Sequence, residues 1–215
     1  MIYIMSDIHE SMEFEAFNNY ISEDHADDLL IILGDVGLKL EDTEENKRFT
    51  QYFLSAKCPI ALVDGNHENF DYLYSFPVED WNGGKVHRIT ENIVHLMRGN
   101  IFRLEGQYYL VFGGCKSSEG WKATGKWFPQ EEANDEEYAL AYENLKRYQY
   151  QVDYILTHKY NKDPLDPYGV PKLQELTAFI DEKVDFKKWY SGHCHQNLVL
   201  DERHQTVYDN LVCVE

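Results

Sequence analysis

The chain has 215 residues, and 38 Asp and Glu residues against 20 Lys and Arg residues give it a formal net charge of −18. A surface this negative repels the phosphate backbone of nucleic acids and anionic membranes, which excludes long nucleic acids and membranes as expected partners. Aromatic residues make up 14% of the sequence, which excludes an acidic disordered chain, and the length predicts a single domain over residues 1–215.

Cysteine usage and hydropathy predict a soluble, cytoplasmic protein. The four cysteines show no CxxC pair and no disulfide-rich spacing, which is typical of reduced thiols in the cytosol. The longest strongly apolar run, Leu29–Leu33, is too short to cross a bilayer, and the segment MIYIMSD lacks the basic start of a signal peptide. The sequence does not indicate an oligomeric state.

Short apolar runs alternate with amphipathic stretches in the first part of the chain, which is typical of a sheet covered by helices. The predicted strands are Ile2–Met5, Leu29–Leu33 and Ile60–Val63. The predicted helices cover residues 11–21 and 43–55, and Thr43 is the expected N-cap of the second one.

The middle of the chain contains four short strand-like runs separated by Asn and Gly, a pattern that predicts an antiparallel meander. These runs cover residues 86–89, 93–97, 101–104 and 108–112. Residues 113–130 follow no clear period and are predicted to form a long loop. The remaining predicted elements are helices over residues 131–148 and 171–183 and strands over residues 152–156, 189–191, 198–200 and 207–212.

Polar side chains follow five of the predicted strands at the point where each strand ends. The five blocks are Ser6-Asp7-Ile8-His9, Gly34-Asp35, Asp64-Gly65-Asn66-His67-Glu68, Thr157-His158 and Ser191-Gly192-His193-Cys194-His195. In α/β sheets ligands bind beyond the carboxyl ends of the strands, where side chains from separate strands can converge. The sequence therefore predicts one shared site built from these blocks.

Each block also has a structural interpretation when it is taken alone. Asp-x-His can be a helix cap with a nearby surface histidine, and Gly-Asp can be a turn. His193-Cys194-His195 can be a set of zinc ligands, although a strand would present the two histidines on one face and turn Cys194 away to pack elsewhere. Five such blocks in one chain favour the shared site.

The donor count indicates two metal ions. The candidate ligands are Asp7, His9, Asp35, Asn66, His158, His193 and His195. These are seven nitrogen and oxygen donors with no thiolate, too many for one tetrahedral zinc and suitable for two adjacent ions. We expect two divalent ions, Mn first, with Fe, Zn, Co or Ni as alternatives. Two such ions support in-line displacement at phosphorus.

The five blocks resemble, in order, those of the calcineurin-like metallophosphoesterase superfamily: Asp-x-His, Gly-Asp, Gly-Asn-His-Asp/Glu, a lone His after a strand, and Gly-His-x-His. The resemblance implies an α/β fold, a two-sheet αββα sandwich of the metallophosphoesterase type. It also implies a division of the ligands: Asp7, His9 and His195 on one ion, Asn66, His158 and His193 on the other, and Asp35 bridging.

The resemblance further implies a mechanism, in which a metal-bridging hydroxide attacks phosphorus and His67 acts as the general acid. A histidine beside two cations can protonate a departing alkoxide when a carboxylate orients it, and Asp64 or Glu68 is the candidate for that role. The alternative for His67 is a structural hydrogen bond.

Two departures of this sequence from the protein Ser/Thr phosphatase pattern bear on the expected substrate. The protein Ser/Thr phosphatases of this superfamily carry Asp and Arg where this chain has Leu38 and Lys39, and Arg where it has Asp64. A lysine cannot form the bidentate fork of an arginine on phosphate, so a small phosphomonoester or phosphodiester is the expected substrate. The alternatives are a phosphoprotein phosphatase, a catalytically silent scaffold of the same fold and a mononuclear zinc hydrolase.

The loop over residues 113–130 is the second candidate for substrate contacts. It concentrates Lys116, Lys122 and Lys126 with Trp121 in an otherwise acidic chain. We expect cationic or stacking contacts to the substrate from this loop, and the alternative is a solvated loop whose tryptophans serve as buried anchors.

Overall fold

A computed structural model describes residues 1–23, 25–160 and 170–214. The strands in these ranges are β1 (Ile2–Met5), β2 (Leu29–Leu33), β3 (Ile60–Val63), β4 (Val78–Trp81), β5 (Gly84–Arg88), β6 (Ile93–Leu96), β7 (Ile101–Leu104), β8 (Gln107–Phe112), β9 (Tyr154–Thr157), β10 (Lys188–Ser191), β11 (Leu198–Val199), β12 (His204–Thr206) and β13 (Val212–Cys213). The helices are α1 (Glu15–Ser22), α2 (Glu44–Leu54), α3 (Phe70–Leu73), α4 (Glu119–Lys122), α5 (Asp135–Arg147) and α6 (Pro171–Lys183).

The described strands form two mixed sheets. The first has the spatial order β13-β1-β2-β3-β6-β5-β4, and the second has the order β11-β12-β10-β9-β8-β7. Strands β1, β2, β3 and β6 run parallel, as do β8, β9, β10 and β12, and antiparallel strands lie at the edges. Each sheet therefore has parallel strands at its centre, and the carboxyl ends of these strands lie at the same end of the sheet.

Side chains alternate along β2 between two apolar cores. Leu30 and Ile32 pack against α1 and α2, whereas Ile31 and Leu33 face the second sheet. A third apolar core lies between the second sheet and helices α5 and α6. This alternation is what a strand buried on both faces requires. The layer order is thus helix, sheet, sheet, helix, and the predicted αββα sandwich is confirmed.

Local capping explains where two of the helices begin. The Thr43 side chain accepts a hydrogen bond from the Asn46 N–H, as predicted for the N-cap of α2. Asn134 and Glu137 form a reciprocal capping box, so α5 starts at Asp135 rather than at residue 131. Helix α1 starts at Glu15, four residues later than predicted, because a turn closed by the Ser11 carbonyl and the Phe14 N–H precedes it.

None of the helices in the described ranges has the length and apolarity needed to cross a membrane.

The predicted meander is wrong. Strands β5 and β6 form an antiparallel pair in the first sheet, and β7 and β8 form another in the second. The connection over residues 97–100 crosses between the sheets, and the Gly99 N–H there donates to the Val111 carbonyl. All four strands are short and mostly buried, so the local sequence does not indicate which sheet each one joins.

The predicted strand over residues 207–212 is also wrong, because this segment passes from one sheet to the other. β12 ends at Thr206 in the second sheet, and β13 begins at Val212 in the first. Between them the Val207 N–H donates to the Ser191 carbonyl, and the Tyr208 carbonyl accepts from the Ser6 N–H. The bend therefore joins the ends of β10 and β1.

A buried ion pair ties the end of the first sheet to α5. The Arg98 Nε–H donates to Asp64 Oδ2 at 2.6 Å, and Nη1 lies 3.3 Å from Glu137 Oε2. Arg98 is 3% and Asp64 1% exposed. Burial alone would raise the pKa of Asp64, but Arg98 and His95 outweigh it and hold that pKa well below its usual range. The segment after β3 is thus anchored by a carboxylate that stays ionised.

We expect Arg98→Met to lower the free energy of unfolding by about 3–5 kcal/mol, because it leaves the buried Asp64 carboxylate without its cationic partner. Urea denaturation of the metal-free protein, followed by circular dichroism, measures the change. Arg103→Met is the matched control, since Arg103 is exposed on β7. Equal losses in the two variants would contradict a structural role for the ion pair.

Candidate metal centre

The predicted site residues converge where the ends of the two sheets meet. Asp7, Asp35 and Asn66 lie just beyond β1, β2 and β3 of the first sheet, whereas His158 and His193 lie beyond β9 and β10 of the second. Hydrogen bonds cross between the two groups. His158 Nδ1 lies 2.7 Å from the Leu33 carbonyl oxygen, and the His193 N–H donates to Asp7 Oδ2 at 2.9 Å. The site therefore belongs to both sheets.

Three of the predicted ligands form an outer cluster, defined as Asp7, His9 and His195. His195 Nε2 lies 2.8 Å from His9 Nε2 and 3.3 Å from Asp7 Oδ1. The carboxylate of Asp7 is buried, but the His9 and His195 side chains are 31% and 46% exposed. The His195 ring also stacks on Tyr208, with 5.0 Å between ring centroids. This cluster is open to solvent on its histidine side.

Three other predicted ligands form an inner cluster, defined as Asn66, His158 and His193. His158 Nε2 lies 3.2 Å from both Asn66 Oδ1 and His193 Nδ1. Asn66 and His158 are buried, and His193 is half-buried. The Cys115 thiol joins this cluster, with its Sγ 2.9 Å from Asn66 Oδ1 and 3.6 Å from His193 Nδ1.

Sequence reasoning missed Cys115 as a member of the site. The residue follows β8, which is a sixth strand that delivers a donor at its carboxyl end. Gly113-Gly114 between the strand and the cysteine was the signal that could have found it. No disulfide involves any of the four cysteines, all of which lie in the described ranges.

The Asp35 carboxylate lies between the outer and the inner cluster. Its Oδ2 is 3.6 Å from His9 Nε2, and its Oδ1 is 3.5 Å from His158 Nε2. Burial opposes its ionisation, but the charges of the surrounding histidines, His158 first, outweigh burial and lower its pKa to about 2. The carboxylate is therefore ionised at neutral pH, with one oxygen directed to each cluster.

Five of the seven predicted ligands have left-handed backbone conformations. Their φ angles are 59° at Asp7, 49° at His9, 53° at Asp35, 70° at His193 and 51° at His195. Such conformations cost non-glycine residues about 1–2 kcal/mol each. The segment over residues 193–195 is therefore a turn rather than a strand, so the predicted alternation of side chains there is wrong. Strain concentrated in this way is typical of functional sites.

Two glycines let the backbone approach the ligand residues closely. A Cβ at Gly65 would overlap Asp35 Oδ1, and a Cβ at Gly192 would overlap Ser6 Oγ and lie 2.7 Å from Asp7 Oδ2. Any side chain at either position would therefore displace a carboxylate of the site. The close approach explains why glycine follows Asp64 and precedes His193.

His67 lies at the mouth of the site beside Trp121. Its backbone N–H donates to Asp35 Oδ1 at 2.8 Å, and its ring centroid is 4.1 Å from that of Trp121 and 5.2 Å from that of His9. Burial lowers the pKa of His67, and the charge of Asp35 opposes this effect.

Neither carboxylate that the sequence offered for orienting His67 is directed to it. Asp64 is bound by Arg98, and Glu68 accepts the N–H groups of Val36 and Gly37, each at 3.0 Å. Burial and the charge of Asp35 raise the pKa of Glu68 to about 8, although these two N–H groups favour its anion. Glu68 therefore fixes the backbone that follows Asp35.

Two of the three lysines in the loop over residues 113–130, Lys122 and Lys126, are engaged by carboxylates. Lys122 Nζ lies 3.7 Å from Glu132 and 4.6 Å from the Trp127 ring centroid, and Lys126 forms an ion pair with Glu41. Lys116 is exposed. The loop also contains the short helix α4 and a 3-10 turn. Trp121 is the loop residue whose ring lies against His67.

The donors fit two divalent ions. Asp7 Oδ1 is buried without a hydrogen-bond partner in the described residues, although it faces the outer histidines. A buried carboxylate oxygen without a partner is costly unless a cation binds it. Both clusters also bring together groups of metal-ligating side chains, Asp7, His9 and His195 in one and Cys115, His158 and His193 in the other.

Comparisons with known proteins bear on the fold and on the family of the chain. A phosphopantetheinyl hydrolase from Mycobacterium tuberculosis has a similar structure, with a TM-score of 0.51 and 15% sequence identity over 96% of this chain and 89% of that one, a likeness that concerns the fold. No curated protein matches the chain. The model of the calcineurin-like phosphoesterase family matches residues 1–197, and the chain therefore belongs to that family.

Proposed function

We propose that this chain hydrolyses phosphate esters of small molecules with the help of two divalent metal ions. The observation that carries the proposal is the position of Asp35, whose two oxygens are directed to two separate clusters of metal-ligating side chains. Two ions that share a carboxylate are a common arrangement for displacement at phosphorus. Membership of the calcineurin-like phosphoesterase family supports the same reaction class.

The outer cluster of Asp7, His9 and His195 would hold one ion, the inner cluster the other, and Asp35 both. Divalent ions bound here would supply a nucleophilic hydroxide at neutral pH and positive charge for the phosphoryl oxygens. Imidazole and carboxylate donors favour Mn, Fe, Zn, Co or Ni, and we propose Mn for the outer cluster, where the donors are nitrogen and oxygen alone.

His67 is the general acid in this proposal. A ring N–H of its imidazolium would donate a proton to the departing oxygen of the ester. Its backbone is fixed by the hydrogen bond to Asp35, and Trp121 packs against its ring, so the ring has few orientations. The dianionic phosphate of a bound substrate would raise the pKa of His67 and oppose the effect of burial.

The charge distribution supports a small substrate. Two divalent ions would bring four positive charges to a centre whose ligands include two carboxylates, so the site would be locally cationic in a chain of net charge −18. Lys39 also supports a small substrate, because its ammonium is engaged in a cation-π contact, 4.5 Å from the Tyr72 ring centroid. A long polyanion would be repelled by the net negative charge of the chain.

We expect Asp35→Asn to abolish hydrolysis of aryl phosphate monoesters and diesters and to lower the number of bound metal ions. The amide cannot provide two anionic oxygens to two cations. Activity of the metal-loaded protein and elemental analysis after gel filtration measure the two effects.

Asp42→Asn is the matched control, because Asp42 is highly exposed and pairs only with the surface residue Lys47 in the described contacts. The wild-type protein should lose activity on chelation and recover it on addition of Mn²⁺. A wild-type protein with two bound ions and no activity on any phosphate ester would refute the proposal.

We expect His67→Asn to lower kcat by about 10²–10⁴-fold for alkyl esters and by far less for nitrophenyl esters. A good leaving group needs no proton, so only a general acid gives this dependence on the leaving group. Metal content should remain that of the wild type, and His25→Asn, at a histidine that pairs with Asp28 and Glu23 rather than with the site, should leave both rates unchanged. Equal losses for both kinds of ester would indicate a structural role for His67.

We expect Trp121→Ala to raise the KM for aryl esters and Trp121→Phe to restore most of the affinity, because an aromatic face is what the substrate would contact. Steady-state kinetics over a series of aryl and alkyl esters measures the effect. Lys122→Ala, in the same short helix, is the control, since carboxylates already surround that ammonium. An unchanged KM in Trp121→Ala would leave the tryptophan as a structural anchor of the loop.

A further inference from the structure

The inner cluster contains a donor of a different chemical kind. Cys115 is 1% exposed, and its sulfur lies in contact distance of Asn66 Oδ1 and His193 Nδ1. Its side chain also joins His158 and His193 in a group whose ligating atoms all lie within 4.8 Å of one another. The outer cluster has no sulfur donor among the described residues, so the two halves of the centre differ in chemistry.

Three distances in the inner cluster are close to those between two ligands of one metal ion, and a fourth, 2.9 Å from Cys115 Sγ to Asn66 Oδ1, is shorter. Bonds of about 2.0–2.1 Å to nitrogen and about 2.3 Å to sulfur give ligand separations of about 3.3–3.6 Å at the tetrahedral angle. The observed separations are 3.6 Å from Cys115 Sγ to His193 Nδ1 and 3.2 Å from His193 Nδ1 to His158 Nε2. Asn66 Oδ1 and Asp35 Oδ1 lie 3.2 Å and 3.5 Å from His158 Nε2, so five side chains offer a donor at this position.

The backbone before Cys115 has little freedom to move away. The Gly114 N–H donates to the Asp64 carbonyl at 2.7 Å, and a Cβ at Gly114 would overlap the Glu131 carbonyl oxygen. On the other side of the cysteine, the Ser117 N–H donates to Glu131 Oε1 at 2.8 Å. Both flanks are therefore fixed to buried groups, so the thiol is held in the cluster by its surroundings.

We propose that the thiolate of Cys115 is a ligand of the ion held by His158, His193 and Asn66. On binding, the thiol would lose its proton to solvent and form a sulfur–metal bond, which releases one proton for each ion bound. Thiolate ligands select zinc and other softer ions over manganese. The inner site would then prefer Zn²⁺ and the outer site Mn²⁺. This inference rests on the metal centre of the proposed function and specifies one half of it.

The test is the titration of the metal-free, full-length protein with Co²⁺ in the presence of a phosphine reductant. We expect a sulfur-to-cobalt charge-transfer band in the near ultraviolet that reaches its maximum at one equivalent. Cys115→Ser should lose this band and keep the ligand-field bands of the nitrogen and oxygen donors. Two control variants should retain the charge-transfer band. They are Cys58→Ser, at a buried cysteine in the apolar core that packs against α2, and Cys194→Ser, between two predicted ligands.

X-ray absorption on the zinc-loaded wild-type protein gives a measurement that needs no variant. We expect one sulfur neighbour at about 2.3 Å from zinc when one equivalent is bound. Two bound ions without a sulfur neighbour would overturn the role of Cys115 and leave the proposed function intact, whereas a protein that binds no metal would refute both. A band that survives Cys115→Ser and disappears in Cys194→Ser would assign the sulfur to the His193-Cys194-His195 segment instead.

Discussion

The buried carboxylate of Asp35 is the constraint to which the rest of the site conforms. An ionised group without water must be compensated by opposite charge or by hydrogen bonds. The His67 N–H provides one hydrogen bond, and His9 and His158 face the two oxygens from opposite sides. Because the flanking residues come from both sheets, the position of this single carboxylate depends on the packing of the whole sandwich.

Holding these ligands requires conformations that a short peptide would avoid. Asp7, Asp35 and both histidines of the Gly-His-x-His block have positive φ angles, and each such conformation costs about 1–2 kcal/mol. Three apolar cores between the four layers stabilise the strands that precede these turns. These rigid strands thus offset the strain of the turns that follow them, and the donors remain close together.

The two clusters differ in exposure, and this difference separates their proposed roles. His9 and His195 of the outer cluster are partly open to solvent, and His67 and Trp121 stand beside them. In the inner cluster Asn66, His158 and the Cys115 thiol are buried, and His193 is half-buried. A small ester would reach the centre from the outer side, while the inner ion would be held by donors that water reaches poorly.

The sequence by itself determined the class of fold and predicted which side chains meet at the candidate site. Metal-ligating residue types that directly follow apolar runs are local features of the sequence. The strands Ile2–Met5 and Ile60–Val63 coincide with the predicted ones for the same reason. Only the tertiary structure decided which sheet each hairpin joins, that Asp64 pairs with Arg98 rather than with His67, and that Cys115 enters the site. These features depend on contacts between residues more than 30 positions apart, which meet only when distant strands pair or the two sheets pack, so no local pattern could have predicted them.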